Sequence, residues 1–444
     1  MIFKRKIYDV MLQWKKEMNG KSAIMIEGPR RVGKSTIVEN FAQNEYDSYL
    51  LIDFSKAPKE VFSLFDDISD LNYVFLRFKL LYGVQLFERK SAIIFDEIQE
   101  CPKARQAIKH LVKDGRYDYI ETGSLISIKK NVKNIIIPSE ETKLNLNPMD
   151  YEEFLWALGD TTTTPLLKDV FERKESLGDG VNRKLMRNFR LYMLIGGMPQ
   201  AVESYLNSND LGIVDKTKRN IIQLYEDDFK KLDQSGRIST LFDAIPSELN
   251  KNSSRYQITS VIGGSTSSTV ENQLIAELND SKTINMAYHA NDPGVGLSLN
   301  MDINKYKMFV CDTGLFVTLA FKDKEFTENI IYQKLLSDKL DANLGYVYEN
   351  VVAQMLKAKG DNLFYYTFPT GSGSHNYEID FILSRNGKIC PVEVKSSSYK
   401  RHVSMDSFGE KFSGRIDEKY MVYTKDLKKE NGVTYLPVYM TQFL

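Results

Sequence analysis

Gly28-Pro29-Arg30-Arg31-Val32-Gly33-Lys34-Ser35, followed by Thr36, is the stretch whose reading decides the fold. It has the form G-x-x-x-x-G-K-[ST], a turn that leads from a strand into a helix and cradles phosphate. Ser22-Ala-Ile-Met-Ile-Glu27 before it is a short apolar run suited to a buried strand, and Ser35–Ala42 has the pattern of a helix start. Gly28 and Gly33 permit backbone conformations and close approaches that a side chain would block. The loop amides can then point at phosphate oxygens, aided by the positive end of the following helix. Lys34 is the point charge expected at the β- and γ-phosphates, and Ser35 the hydroxyl expected on Mg²⁺. The plain alternative is a capped turn that happens to contain a lysine. A nucleoside triphosphate site is the expectation carried forward.

Such a loop needs an acidic partner for the metal. Ala92-Ile-Ile-Phe-Asp-Glu97 supplies one, as a strand ending in two carboxylates. Asp96 would hold Mg²⁺ directly or through water, and Glu97 would polarise the attacking water. Without the upstream loop, the pair would read as a solvated strand end. Tyr119-Ile-Glu-Thr-Gly-Ser124 closes another strand with hydroxyls. Thr122 or Ser124 is placed to reach the γ-phosphate or its water, with a simple helix cap by Ser124 as the other reading.

At 444 residues the chain has room for about three domains. Lysine plus arginine and aspartate plus glutamate balance at 59 each, so no global basic field advertises nucleic acid, although a local basic patch is compatible. Cys101, Cys311 and Cys390 are odd in number and far apart, which fits reduced thiols rather than a disulfide framework. His110, His289, His375 and His402 show no zinc-like spacing. The N-terminal decapeptide turns charged too early for a secretory signal, and no run approaches the roughly 20 apolar residues that span a bilayer. A cytoplasmic protein without a membrane partner is expected.

Residues 1–150 alternate strand-like runs (22–27, 49–54, 91–96, 117–122 and 133–137) with helical patterns, the rhythm of a mostly parallel sheet covered by helices. From 151 to 235 the strand runs vanish, and Leu185–Leu194 has helical spacing until Gly196-Gly-Met-Pro199 breaks it. That part is expected to be an all-helical lid. Residues 236–305 read helix, turn, helix and hairpin, the order of a winged helix. Residues 306–444 return to mixed strands and helices.

Near the C-terminus, two strand-like runs, Tyr377–Leu383 and Lys388–Lys395, flank Asn386-Gly387, the strongest two-residue hairpin signal. With those residues at the turn, Asp380 lies opposite Glu393, and Lys395 projects on the same face two residues along. Two carboxylates facing each other repel unless a cation sits between them, and a divalent metal beside Lys395 would satisfy that geometry. The E-x-K triplet also occurs at Glu88–Lys90, Glu141–Lys143 and Glu172–Lys174, so the triplet alone carries nothing.

Taken together, Gly28–Thr36, Ile93–Gln99, Thr122–Ser124, Met193–Pro199, Asp312–Leu315, Leu344–Asn350 and Pro391–Lys395 resemble the AAA+ ATPases. The resemblance is specifically to a prokaryotic family that joins such a module to a C-terminal domain of unknown function. It implies ATP and Mg²⁺ as cofactors, a strand order 5-1-4-3-2, a helical lid and a winged-helix segment. It also implies a restriction-endonuclease-like C-terminal fold, in which Asp380 and Glu393 hold a metal, Lys395 steadies the attacking water, and Glu349 adds a further acid. One departure stands out. Leu125–Asn134, where an arginine finger is usual, offers only lysines, and Arg105 and Arg116 are the substitutes within range.

The segment Ser267–Leu278 carries Glu271 and Glu277 and no basic residue, which fits protein packing at least as well as a nucleic-acid backbone, although Lys251, Arg255 and Lys282 flank it. The leading expectation is an Mg²⁺-dependent ATPase whose C-terminal half contacts DNA or RNA. Two alternatives stand beside it. One is an ATP-gated metal-dependent nuclease. The other is a nucleotide-dependent switch that binds a protein partner or itself, with an inert nuclease-like fold.

Overall fold

The computed structural model describes residues 1–123, 139–251, 253–263, 267–323, 329–337, 345–370, 373, 375–396 and 402–444. The chain divides into two compact units, Met1–Asn147 with Asp280–Lys282, and Pro148–Asn279 with Thr283–Leu444.

The first unit is built on five strands: β1 (Ala23–Glu27), β2 (Ser48–Asp53), β3 (Ser91–Asp96), β4 (Asp118–Gly123) and β5 (Glu141–Asn145). Their order is β2-β3-β4-β1-β5, and every pairing is parallel. Read from the other edge, this is the expected 5-1-4-3-2. β1 is buried along its whole length because helices cover both faces, as a parallel sheet requires. Ile24 and Ile26 join Met11, Trp14, Val38, Phe41, Ile94 and Ile120 on one face. Ala23 and Met25 join Phe54, Phe75, Phe78, Phe95 and Tyr119 on the other. The strand expected at 133–137 and Ser124 both lie outside the described residues. The fifth described strand is Glu141–Asn145, whose polar sequence ETKLN hides it from a search for apolar runs.

The second unit opens with helices Tyr151–Ala157, Thr163–Arg173, Asp179–Ile195, Pro199–Ser208 and Leu211–Leu232, so the span read as all-helical is so. Its other strands are β6 (Ile284–Ala290), β7 (Met301–Val310), β8 (Leu363–Pro369), β9 (Asn376–Arg385), β10 (Lys388–Val394), β11 (Lys419–Tyr423), β12 (Lys428–Glu430) and β13 (Val433–Pro437). They form one mixed sheet in the order β12-β13-β11-β10-β9-β8-β6-β7. Here the structure redraws a boundary. The hairpin read as the wing of a separate 236–305 segment is β6–β7, and β6 pairs with β8 in the large sheet. The cut at 305/306 falls inside β7, because the hairpin's hydrogen bonds continue into strands far along the chain.

Three of the sequence motifs converge in the core of this unit. The fully buried Asp312 accepts hydrogen bonds from Leu315 N at 2.9 Å and Gly197 N at 2.5 Å, so it caps one helix and pins the turn of another. A Cβ at Gly197 would fall closer than 3.0 Å to the Met149 backbone, which leaves room only for glycine. Asn350 bonds both the N–H and the carbonyl of Val310, at 2.8 and 3.2 Å. Gln354 links Thr313 N at 2.8 Å to the Tyr192 hydroxyl at 3.0 Å, and that hydroxyl reaches the Met149 carbonyl at 2.9 Å. These motif residues build structure, and burial leaves them no substrate to meet. Among the described residues no helix is long and apolar enough to cross a membrane.

Candidate functional site

The phosphate loop joins β1 to the helix Lys34–Glu45. Gly33 caps that helix at φ 96°, and Arg31 adopts φ 69°, so the loop curls through left-handed conformations on its way into the helix. Gly28 has a different constraint. A Cβ there would stand closer than 3.0 Å to the Leu146 carbonyl oxygen, a distance that real Cβ atoms essentially never show. Leu146 is itself tied to the end of β1 by its N–H, which donates to the Glu27 carbonyl at 2.7 Å.

The Lys34 ammonium is buried and donates to the carbonyls of Gly28 and Pro29, each at 3.0 Å. It is held over the loop, where an entering phosphate can take over from the two carbonyls. The Ser35 hydroxyl donates to Asp96 Oδ1 at 2.9 Å, which brings the helix start to the tip of β3. Thr122, at the tip of β4, donates to the same oxygen. Glu97 turns into a left-handed conformation at φ 54°, its N–H donates to Thr122 Oγ1 at 3.4 Å, and the Gln99 amide holds its carboxylate. Lys34, Ser35, Asp96, Glu97 and Thr122 are thus brought together at the carboxyl ends of three neighbouring strands, where α/β sheets bind their ligands. The donor set, one hydroxyl and one carboxylate beside a curled loop, is one that fits Mg²⁺ carried on a nucleotide.

Sequence reasoning missed Arg5. Its guanidinium is buried and donates to the Val32 carbonyl at 3.2 Å and the Asn147 carbonyl at 2.6 Å, tying the loop to the segment that follows β5. It stands far upstream of the motif with no pattern of its own, so only the fold reveals it. The two arginines considered as fingers are corrected. Arg105 is 1% exposed and bound to Glu141 at 3.0 Å, hence unable to reach another subunit's nucleotide. Arg116 pairs with Asp114 at 2.8 Å and precedes β4, at the end of the strand opposite Thr122.

In the second unit, Asn386 at φ 50° and Gly387 at φ 71° make the expected turn. The pairs Lys388↔Arg385 through Val392↔Phe381 keep the expected register, and the next pair along it is Glu393 with Asp380. Asp380 accepts a hydrogen bond from Val394 N at 2.7 Å, and Lys395 pairs with Glu393 at 2.7 Å. Glu349 lies on the helix Gly345–Ala358, and burial, followed by the charge of Asp380, pushes its carboxyl up to about 7. Two further members were missed, Glu378 and its ion-pair partner Lys307. Strand alternation carries Glu378 to the face of Asp380, a signal present in the sequence. Burial by itself lowers the Lys307 pKa, but Glu378, Glu349 and Asp380 outweigh it and leave the pKa raised. The two lysines supply the positive charge assigned to a metal. Among the described residues no three His, Cys, Asp or Glu side chains are grouped so as to hold one, so Glu349, Asp380 and Glu393 as placed do not fit a metal site. The three cysteines are buried and free.

Comparison with known proteins finds a family match over most of the first unit. Residues 20–155 match the family described as an AAA domain, and the chain carries a P-loop ATPase-like domain there. Residues 186–325 and 344–440 match two domains of unknown function, DUF8612 and DUF4143. No curated relative matches the sequence. Among solved structures, the Walker-type ATPase PABY2304 of Pyrococcus abyssi is 16% identical, covering 72% of this chain and 96% of that one at a TM-score of 0.44. The STAND protein PH0952 of Pyrococcus horikoshii, with a tetratricopeptide repeat sensor, is 14% identical at a TM-score of 0.27, and this chain spans only 46% of it.

Proposed function

We propose that this protein is an Mg²⁺-dependent ATPase of the AAA+ type whose nucleotide state acts on a C-terminal half that binds nucleic acid. The observation that carries the catalytic part is the Asp96 carboxylate shared by the Ser35 and Thr122 hydroxyls, since it joins the loop helix to two strand tips. Ser35 and Asp96 would hold the Mg²⁺, which neutralises charge on the phosphates. Lys34 exchanges its two loop carbonyls for phosphate oxygens, Thr122 holds the Asp96 carboxylate in place, and Glu97 orients the attacking water. Lys34→Ala should abolish nucleotide binding or turnover, while Glu97→Gln should keep ATP bound and stall hydrolysis. Unchanged turnover in both variants would sink the assignment.

For the C-terminal half, binding is the better reading than cleavage. Lys307 and Lys395 already neutralise Glu378 and Glu393. Asp380→Ala and Lys395→Ala, assayed with Mg²⁺ or Mn²⁺ on DNA, test the nuclease alternative. Metal-dependent cutting lost in both would restore it. A protein partner in place of nucleic acid is the outcome if no DNA or RNA binds at low salt.

A further inference from the structure

A cavity of about 950 Å³ opens within the second unit between the helix Asp179–Ile195 and the loop that follows β11. Its charged lining is Arg183 and Arg190 from the helix, Lys425 from the loop, Lys428 at the start of β12, where it pairs with Glu430 at 2.5 Å, and the acids Asp179 and Asp426. The lining cations outnumber the acids, and Asp426 is engaged in holding the walls. Asp426 already accepts from Ser176 Oγ at 2.5 Å, Gly178 N at 2.6 Å, Leu427 N at 2.8 Å and Leu177 N at 3.2 Å. Those bonds pin the two walls together and occupy the carboxylate. The Asn182 amide adds a bond to the Thr424 carbonyl at 3.3 Å and is itself held by the Tyr439 hydroxyl at 2.9 Å. Arg183 and Lys425 are exposed, and among the described residues neither has a carboxylate partner. A preformed cleft with unanswered cations on both walls is what an anionic ligand needs.

Spacing narrows the ligand. Arg183 and Arg190 are seven residues apart, which places them roughly 10 Å apart along the helix axis. One phosphate cannot bridge that span, whereas a chain of phosphates can, and arginine forks suit phosphate oxygens. Position narrows it further. Lys395 N donates to the Val422 carbonyl at 2.8 Å, and Glu393 is in register with Met421 on the neighbouring parallel strand. The cavity wall begins at Tyr423, one residue beyond, so it adjoins the strand end that carries Glu393 and Lys395.

We infer that this cavity binds a phosphate chain, that of a single nucleic-acid strand leading toward Glu393 and Lys395 or that of a nucleoside polyphosphate. The strand source rests on the nucleic-acid reading above; the polyphosphate source does not. The test uses the full chain, the Arg183→Ala/Lys425→Ala double variant, and both again in a Lys34→Ala background that silences the P-loop. Labelled oligothymidylate is followed by anisotropy across a salt series, and inorganic triphosphate by calorimetry. Thermal midpoints confirm folding, which two exposed side chains should not alter. If the strand is the ligand, the double variant binds oligonucleotide about tenfold more weakly, with a salt slope shallower by about 1.4, near 0.7 for each lost contact. Equal oligonucleotide and triphosphate binding by natural and double-variant chains overturns the cavity and leaves the nucleic-acid reading standing. If the natural chain binds no oligonucleotide but the Lys34→Ala chain binds triphosphate through Arg183 and Lys425, the nucleic-acid reading falls and the cavity stands as a polyphosphate site. Binding of neither probe overturns both.

Discussion

Glu121→Gln is expected to leave the first unit as stable as the natural chain at acidic pH and more stable at alkaline pH. Glu121 lies on β4 with no exposure, and among the described residues both of its carboxyl oxygens lack a hydrogen-bond donor. Its neighbours are Glu141 and Arg105, whose guanidinium grips Glu141 at 3.0 and 3.1 Å. Burial first, and the charge of Glu141 second, raise the Glu121 pKa well above the ordinary carboxylate value, while Arg105 and Lys143 pull it down. The carboxyl therefore keeps its proton, which becomes a donor for Glu141. An acid whose folded pKa is raised contributes stability that is fully present below its unfolded pKa, near 4.3, and is lost as pH climbs toward the folded value. Each pH unit inside that window removes about 1.4 kcal/mol. Glutamine mimics the protonated acid in shape and donor, so the variant should lack this slope.

The assay is urea unfolding from pH 5 to pH 8. Trp14 and Trp156 are the two tryptophans and lie in different units, so a Trp156→Phe background leaves Trp14 to report on the first. A Glu121→Gln protein that keeps the natural pH slope, or loses more than about 2 kcal/mol at pH 8, would refute a neutral Glu121; the threshold is the cost of leaving one buried polar group unsatisfied. The companion variant Arg105→Met should lose about 3–5 kcal/mol, because it removes the close ion pair of the buried Glu141 and leaves only the half-exposed Lys143 at 3.8 Å.

Two further outcomes follow from the second unit. Gly197→Ala should destabilise by about 3 kcal/mol or more in thermal unfolding followed by Trp156, since its Cβ meets the backbone of Met149, which cannot swing aside like a side chain. Lys218 is fully buried, donates to the Leu194 carbonyl at 2.7 Å, and is pushed down to about 8 by burial. An unfolded lysine holds its proton to about 10.4, so the unfolded chain binds more protons in that interval and stability rises with pH there. The natural chain should gain about 2 kcal/mol relative to Lys218→Met between pH 7.5 and 9.5, read as the difference in urea midpoints. An equal pH response in the two proteins would contradict a depressed Lys218.

What the sequence determined by itself were features whose physics is local. Gly28–Ser35 specifies its loop because glycine and lysine at fixed spacing serve one backbone geometry, and Asp96-Glu97 follows an apolar run that only a buried strand explains. Asn386-Gly387 set the β9–β10 register, because a two-residue turn fixes every pair above it. The tertiary structure decided what depends on residues distant in the chain. Arg5 reaches the loop only because the N-terminal helix packs beside β1, and β5 is a strand because β1 offers it an edge despite its polar sequence. Burial then reassigned roles that residue type alone left open. It withdrew Arg105 from finger to structural ion pair, and placed lysines among the C-terminal carboxylates where spacing had left room for a metal. Charge chemistry is written in the residue, but whether that charge is free to act depends on solvent and neighbours, and only the packed fold supplies those.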